Sequence, residues 1–214
     1  MPSRGLPVDG IGVRCARPLS SSDPGLWDRE AATFDEAPDH GLLDPEVREA
    51  WRELLLGVLP VAPADVVDLG CGTGTLTRLL ADDGYTVDAV DFSPAMVRLA
   101  DAKLAGSPRA VVRLGDAGDP GLAPASTDVV LCRHLLWALP EPERAVVRWV
   151  RALRPGGRLV LVEGTWSTGA GLTAKRCASI VEGSCARVEV RPLPGPALWG
   201  GETTDDRYIV VARP

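Results

Sequence analysis

The sequence predicts an α/β fold in which a doubly wound, mostly parallel sheet ends in an antiparallel pair of strands. Short apolar runs alternate with helical patterns over residues 65–164, and such alternation is typical of parallel strands joined by crossover helices. Two strand-like runs, 186–193 and 207–214, then follow one another with no clear helix between them. A glycine-rich turn after the first run marks the edge at which such sheets bind ligands.

The parallel strands are predicted from short apolar runs bounded by turns. They are predicted at 65–69, 86–91, 110–116, 127–133 and 158–164. The helices follow a 3.6-residue apolar period and carry start and stop signals. They are predicted at 44–59, 75–84, 93–106 and 141–157, with a further helix within 168–181. Pro155 and the glycines after it are predicted to end the helix at 141–157.

Side chains at the helix starts support these assignments. Asp44 and Ser93 each precede a proline and are predicted to cap the first free N–H groups, since proline suits the first helical position. Trp51 and Trp149 fall on the apolar faces of their helices. Both indoles are therefore predicted to lie in the core.

The chain divides into three predicted parts. Residues 1–25 are rich in proline, glycine and serine and are expected to form a flexible leader. Residues 26–59 are expected to form an N-terminal helical cap, with a short helix and a loop over 26–43 before the helix at 44–59. Residues 60–214 form the main domain.

Composition excludes several classes of protein. The formal net charge is −6, from 29 acidic and 23 basic residues, which argues against nucleic acid as the partner. The five cysteines form no C-x-x-C pair and are interpreted as reduced thiols of a cytoplasmic protein. We expect no secretory signal in residues 1–17 and no membrane span, because no apolar run is long enough.

The stretch "VVDLGCGTGTL" contains three glycines, Gly70, Gly72 and Gly74, directly after the first strand. Such a loop lets a ligand approach the backbone closely, although a tight turn without a ligand has the same pattern. A dinucleotide fingerprint would place its third glycine at position 75, where this chain has Thr75. Asp68, just before the loop, would oppose a phosphate but suit an ammonium group.

Two further acids follow the second and third strands. Asp91 lies roughly 20 residues past the first glycine, where a carboxylate can accept both hydroxyls of a ribose. Asp116 is predicted to end the third strand, where it could accept from an adenine amino group. A ligand with an ammonium group, a ribose and an adenine fits these positions better than NAD.

These motifs resemble those of a known family. "VVDLGCGTG", "VDAVDFSPAMV", "LGDAGD" and "LRPGGRLVLVEG" are similar, in the same order, to the motifs of the class I S-adenosylmethionine-dependent methyltransferases, and in particular to the small-molecule, methyltransferase type 11-like branch. The resemblance covers about residues 60–165. It implies a Rossmann-like, seven-stranded sheet with a reversed final hairpin, S-adenosyl-L-methionine as cofactor and S-adenosyl-L-homocysteine as product.

The resemblance also implies roles for individual residues. Asp68 and Gly70 would lie near the methionine end of the cofactor, and Asp91 would bind the ribose hydroxyls. Phe92 would flank the adenine, and Asp116 with Ala117 would meet the adenine edge. Arg133 would line the sulfonium side. The complete cofactor set is Asp68, Gly70, Cys71, Gly72, Gly74, Asp91, Phe92, Asp116, Ala117 and Arg133.

One departure from the family concerns DNA. The Asn/Asp-Pro-Pro-aromatic tetrad of amino-methylating DNA enzymes is absent after strand four, where "CRHLLWALP" stands instead. DNA base methylation by that chemistry is therefore not expected.

The candidate catalytic residues are the two histidines, His134 after strand four and His40 in the N-terminal segment. An imidazole can accept a proton from a hydroxyl or an ammonium group, although His134 could also simply pack and His40 could lie on the surface. The candidate substrate pocket consists of aromatic residues that the core does not require. They are Trp27, Phe34, Trp137, Trp166 and Trp199. The first two lie on a segment that, by the resemblance, would close over the cofactor.

The function predicted is in-line methyl transfer to a small-molecule metabolite, in a monomer or homodimer and without a metal ion. The histidines favour O-methylation over N-methylation, and the high arginine content suggests specialised metabolism. Two alternatives stay open: an NAD-dependent oxidoreductase, and a non-catalytic cofactor-binding regulatory domain.

Overall fold

Seven strands form a single sheet in the computed structural model of the protein, which describes residues 24–214. The strands are β1 (Asp65–Leu69), β2 (Thr86–Asp91), β3 (Ala110–Leu114), β4 (Thr127–Arg133), β5 (Leu153–Thr165), β6 (Arg187–Pro192) and β7 (Asp206–Arg213). Their spatial order is β3-β2-β1-β4-β5-β7-β6. The first five are parallel, whereas β7 pairs antiparallel with both β5 and β6. The predicted fold class is confirmed.

Helices cover both faces of the sheet. They are α1 (Pro24–Glu30), α2 (Pro38–Gly41), α3 (Pro45–Leu56), α4 (Thr75–Asp82), α5 (Pro94–Leu104), α6 (Pro142–Ala152) and α7 (Ala174–Glu182). Three short 3-10 turns lie at Phe34–Glu36, Leu136–Ala138 and Pro196–Leu198. Asp44 and Ser93 cap α3 and α5 as predicted, since their side chains accept the N–H groups of Glu46 and Met96.

The boundary between α6 and β5 differs from the prediction. The helix ends at Ala152 rather than near residue 157, and β5 already begins at Leu153. Leu153 is extended, with ψ of 134°, and pairs with Thr127. Proline disfavours helical backbone at the residue before it, and pairing with β4 then favours the extended chain over one more helical turn.

Three smaller differences concern ends of elements. β3 ends at Leu114, two residues before the predicted limit, so the prediction that Asp116 ends this strand is wrong. In the tail, α7 begins at Ala174, within the predicted range of 168–181. Thr173 caps it, since its side chain accepts a hydrogen bond from the Arg176 N–H group. At the N-terminus α1 begins at Pro24, so the predicted leader is too long by two residues, and its remaining part, 1–23, lies outside the described residues.

The apolar core lies in two layers, one on each face of the sheet. Trp51 of α3 belongs to one layer and Trp149 of α6 to the other. Both side chains are fully buried, and each indole N–H donates to a backbone carbonyl, that of Leu198 for Trp51 and that of Ala117 for Trp149. Both were predicted as core residues, and both are.

The connection from β3 to β4 contains no helix between residues 115 and 126. It leaves an open groove on one face of the sheet, lined among others by Asp65, Asp88 and Arg113. On β3, at the edge of the sheet, Val111 is 63% exposed. This part of the sheet therefore faces solvent, away from the carboxyl ends of the strands.

Over residues 24–214, every helix is too short or too polar to cross a bilayer.

Trp149→Ala is expected to lower the free energy of unfolding by about 3–5 kcal/mol, because it empties a fully buried site and removes a hydrogen-bond donor. Urea denaturation would measure this change. Val147→Ala is the matched control, since Val147 lies on the same helix but is 56% exposed, and it should change stability by less than ~0.5 kcal/mol. Equal effects of the two substitutions would contradict the described burial of α6.

Candidate active site

A cleft opens at the carboxyl ends of β1, β2 and β4. Here the strand order reverses, because β2 and β3 follow β1 on one side of the sheet and β4 and β5 lie on the other. Open α/β sheets bind ligands at this switch point. The cleft is partly open to solvent. Its lining residues are Trp27, Phe34, His40, Gly70, Cys71, Gly72, Asp91, Phe92, Met96, Ala117, Arg133, His134, Leu135 and Ala138.

The glycine loop forms one wall of the cleft because side chains are excluded there. Gly72 has φ of +55°, and a Cβ atom on it would lie 3.0 Å from the Phe34 ring. Gly74 has φ of +78°, and its Cβ would lie 2.9 Å from Cβ of Ala100 on α5. Gly72 thus exposes bare backbone to the cleft, whereas Gly74 allows α4 and α5 to pack closely.

Asp91 connects this loop to the start of α5. Its Oδ2 accepts the Gly72 N–H group and its Oδ1 accepts the Ser93 N–H group, each at 2.9 Å. Burial raises the pKa of the carboxyl group, and these N–H groups oppose that shift. A carboxylate oxygen can accept more than one hydrogen bond, so Asp91 keeps acceptor capacity towards the cleft that it lines.

Asp68 lies beneath the cleft rather than on its surface. It is 2% exposed, and its Oδ2 accepts the Thr77 hydroxyl at 2.6 Å. Burial raises its pKa to about 6, while the Thr77 bond and the charge of Arg133 act against the rise. A buried carboxyl group in this state favours a cation as neighbour.

The N-terminal segment is attached to the rim of the cleft by two acids. Asp28 accepts the Ala95 N–H group at 3.0 Å and also the Ser93 hydroxyl. The Asp35 carboxylate accepts a hydrogen bond from Nζ of Lys103 at 2.8 Å. In this ion pair the Asp35 side chain is about one-third exposed. These contacts hold the Phe34 ring, which lies between them in sequence, against the glycine loop.

The two histidines meet in the cleft. The His40 ring stacks on Phe34 at a centroid distance of 4.3 Å and lies 6.3 Å from the His134 ring. Burial lowers the pKa of both imidazoles. For His134 the charge of Arg133 adds to a shift well below 6.5, whereas for His40 the charge of Asp39 opposes it. Both rings are therefore neutral at pH 7.

His134 differs from His40 in two respects. Its backbone has φ of +55°, a conformation that a side chain of this size rarely adopts and that is often found at functional sites. Its Nε2 atom is enclosed, and no other described residue supplies a hydrogen-bond partner. This nitrogen is therefore buried and unpaired, in a ring that lines the cleft.

Two arginines lie behind the histidines. The Arg133 guanidinium lines the cleft, donates to the Asp39 carbonyl and lies 5.0 Å above the Trp51 ring. Arg207 pairs with Asp39 at 2.9 Å and with Asp205 at 2.8 Å. Arg207 is thus balanced by two carboxylates, whereas Arg133 is a cation that lines the cleft.

A metal ion does not fit this set of residues. Ligand atoms of Asp39, His40 and His134 lie within 4.8 Å of one another in the described part of the chain. However, the Asp39 carboxylate is already paired with Arg207, and Arg133 adds a second nearby cation. A divalent ion would face both positive charges.

Some predicted site residues lie outside the cleft wall. Asp116 is exposed and accepts the Gly118 N–H group at 2.7 Å. Trp166 lies edge-on to His134 at 5.3 Å, and Trp137 lies 5.5 Å from Trp166. Trp199 is 6% exposed and packed in the core, although its ring is 6.2 Å from that of His134.

Several cleft residues are not identified by the sequence reasoning. Met96, Leu135 and Ala138 line the cleft but belong to segments that resemble ordinary apolar packing. Arg207 contacts Asp39 from 168 positions away in sequence, and no local pattern indicates such a pair. Glu163 could have been recognised from the sequence, because it is the one acidic residue within the apolar run of β5.

Comparisons with known proteins agree with the fold. Residues 67–161 match the model of a methyltransferase domain. An uncharacterized methyltransferase of Mycobacterium tuberculosis is 43% identical over 111 residues, covering 52% of this chain and 43% of that protein. A demethylmenaquinone methyltransferase of Clavibacter sepedonicus is 33% identical over 148 residues, covering 67% of this chain and 60% of that protein.

Two further comparisons widen the range. A nocamycin O-methyltransferase of Saccharothrix syringae is 36% identical over 119 residues, covering 53% of this chain and 42% of that protein. The crystal structure of the [4+2]-cyclase SpnF matches with a TM-score of 0.67 at 19% identity, over 77% of this chain and 80% of that one. At this identity the likeness supports the fold alone. The matched region spans less than two-thirds of the length of each of the three curated relatives.

The sheet with its antiparallel last strand, the glycine-loop cleft and these matches define a class I S-adenosylmethionine-dependent methyltransferase domain. Residues 67–161 belong to the methyltransferase domain family of type 11. S-adenosylmethionine is accordingly its cofactor, as predicted. The residues present fit this molecule, because the bare backbone of Gly72, the acceptor Asp91 and the buried acid Asp68 suit an adenosine that carries an ammonium group.

Asp91→Ala is expected to weaken binding of S-adenosylhomocysteine about 10–100-fold, the scale of losing charged hydrogen bonds. Calorimetry would measure the affinity. The matched control is Asp88→Ala on the same strand, since Asp88 is partly exposed, pairs with Arg113 and does not line the cleft. If the two variants bound the product equally well, Asp91 would not belong to the cofactor site.

Proposed function

We propose that the protein transfers a methyl group from S-adenosylmethionine to a hydroxyl oxygen of a small molecule, with His134 as the proton acceptor. The observation that carries this proposal is the enclosed Nε2 atom of His134, which has no described partner and belongs to a neutral ring. A neutral imidazole with a free acceptor nitrogen is the form that a general base requires.

The cofactor, when bound, supplies an electrophilic methyl group on a positively charged sulfur. The acceptor oxygen would bond to the methyl carbon as the carbon–sulfur bond breaks, and its proton would pass to Nε2 of His134. The contribution of the protein is mainly alignment. Asp91 and the glycine loop would orient the adenosine, and Asp68 would face the ammonium group. These roles, with those of Phe92, Ala117 and Arg133, are part of the proposal.

The cleft surroundings suggest a flat, hydroxylated acceptor. Aromatic rings stand around His134, those of His40 and Trp166 at 6.3 and 5.3 Å. Arg133 would stabilise negative charge that develops on the acceptor oxygen. A nocamycin O-methyltransferase among the relatives supports an oxygen as the acceptor atom.

We also propose that residues 26–59 act as a cap that excludes water from the transferring methyl group. The contacts of Asp28 and Asp35 with α5, and the Phe34 ring against Gly72, support this role. The net charge of −6 supports a small-molecule partner over nucleic acid. Cys71, Cys132, Cys177 and Cys185 are free and buried, which suits the cytoplasmic location expected from the sequence.

His134→Ala is expected to lower kcat by about 10²–10⁴-fold, the usual contribution of a positioned base, and to change S-adenosylhomocysteine affinity by less than ~3-fold. The measurement is production of S-adenosylhomocysteine with a panel of phenols, enols and amines. His40→Gln is the comparison variant, because the His40 ring lies in the same cleft but its Nε2 atom is 4.0 Å from the Asp39 carboxylate. It should reduce turnover less than His134→Ala does.

The pH profile gives an independent check. The His134 pKa is lowered in the folded protein, so the base stays unprotonated above pH 6.5 and turnover should fall only as the pH drops below this value. A profile without that acid limb, or full turnover by His134→Ala, would remove His134 as the base.

In the acceptor panel, a preference for amines would show that the acceptor atom is nitrogen and not oxygen. Cofactor binding with no turnover on any acceptor would favour a regulatory cofactor-binding domain instead.

A further inference from the structure

One buried carboxyl group has no part in the mechanism above. Glu163 lies near the end of β5 and is fully buried. Its Oε1 accepts the N–H groups of Leu135 and Leu136, at 3.0 and 2.6 Å. Its Oε2 is enclosed, and no described residue is its hydrogen-bond partner. A buried carboxyl oxygen in this state costs free energy and requires an explanation.

The two N–H groups belong to the turn that carries His134. The backbone N–H of His134 donates to the Val162 carbonyl at 2.8 Å, which fixes the start of the turn on β5. The Trp137 indole donates to the His134 carbonyl at 3.0 Å. Glu163 holds the stretch between these two contacts, so its carboxyl group is one of three anchors that set the strained backbone of His134.

The surroundings of Glu163 contain no compensating cation among the groups that the structure describes around it. The titratable groups that face it are Cys132 of β4, Cys177 of α7 and Tyr208 of β7. All three are neutral at pH 7, because burial raises the pKa of each. Burial also raises the pKa of Glu163 to about 8, and the N–H groups of the turn oppose this rise.

We propose that Glu163 is the positioning residue for His134 and that the protonation of its carboxyl group changes how firmly the turn at 134–138 is held. A carboxylate accepts hydrogen bonds from N–H groups more strongly than a protonated carboxyl group does. The turn is therefore held more firmly when Glu163 is ionised. The catalytic meaning of this inference rests on the proposed function, whereas the anchoring itself does not.

The first test is an NMR titration of the backbone amides, which needs no substrate. In the wild-type protein the Leu135 and Leu136 amide signals should shift together with a midpoint near pH 8. In Glu163→Gln, which keeps an acceptor oxygen but cannot ionise, the same signals should not titrate over this range. Signals that stay constant in the wild type, or that still titrate in the variant, would overturn the proposal.

The second test removes the acceptor. Glu163→Met should speed hydrogen exchange of the Leu135 and Leu136 amides at least 10-fold and shift the ring signals of His134. These signals are simple to assign because the chain has two histidines. Tyr208→Phe is the matched control, since Tyr208 faces the same buried cluster but donates to the Leu172 carbonyl instead of the turn. Unchanged exchange in Glu163→Met, or equal changes in both variants, would contradict a positioning role.

The thermal midpoint gives a third measurement, which still applies if Glu163→Met does not fold. The folded carboxyl group keeps its proton up to about pH 8, whereas an unfolded one loses it near pH 4.5. Stability is therefore lost as the pH rises between these values. Relative to Glu163→Gln, the wild-type midpoint should fall by several degrees over this window. A difference that is constant with pH would show that Glu163 does not titrate as proposed.

These readouts separate the two proposals. Absence of methyl transfer would reject the proposed function and leave the amide results valid. Leu135 and Leu136 amide signals that do not change with pH would reject the role of Glu163. They would leave the proposal that His134 is the base untouched.

Discussion

The cleft depends on the carboxylate of Asp91. This one side chain accepts N–H groups from Gly72 and Ser93, which belong to the loop after β1 and to the start of α5. Two independent βα connections are thereby fixed to the end of a single strand. Because charged acceptors form stronger hydrogen bonds than neutral ones, this contact fixes the backbone of the glycine loop at Gly72, where no side chain can do so.

Electrostatics then divide the cleft into two ends. The end near Asp68 and Asp91 is acidic, and burial leaves both carboxyl groups favouring a neighbouring cation. At the end near Arg133, burial lowers the pKa of both histidines, and the Arg133 charge adds to that shift. A ligand with positive charge at one end and an acceptor that develops negative charge at the other end would match both.

Local sequence patterns predict most of the fold. The bounds of β1, β2 and β4 coincide with the prediction, because each is a short apolar run bounded by turns. The start of β5 was missed, since Leu153 is extended through its pairing with Thr127 on another strand, and helical periodicity does not contain that information.

The site was predicted where a motif is local. Gly70, Cys71, Gly72, Asp91, Phe92, Ala117, Arg133 and His134 all line the cleft. The residues that motif reasoning misplaced or missed depend on packing between distant segments. Asp116 lies past the end of a shorter strand, and Glu163 acts on a turn 27 to 28 positions away.

The contact of Asp28 with α5 has a consequence for how ligands enter. The first turn of α5 obtains an acceptor from a side chain 65 to 67 positions earlier in the chain. If the N-terminal segment moved away, the Ala95 amide would lose this partner, whereas the Ser93 cap on the Met96 amide would remain. Any opening of this segment therefore requires the Ala95 amide to exchange a charged acceptor for water.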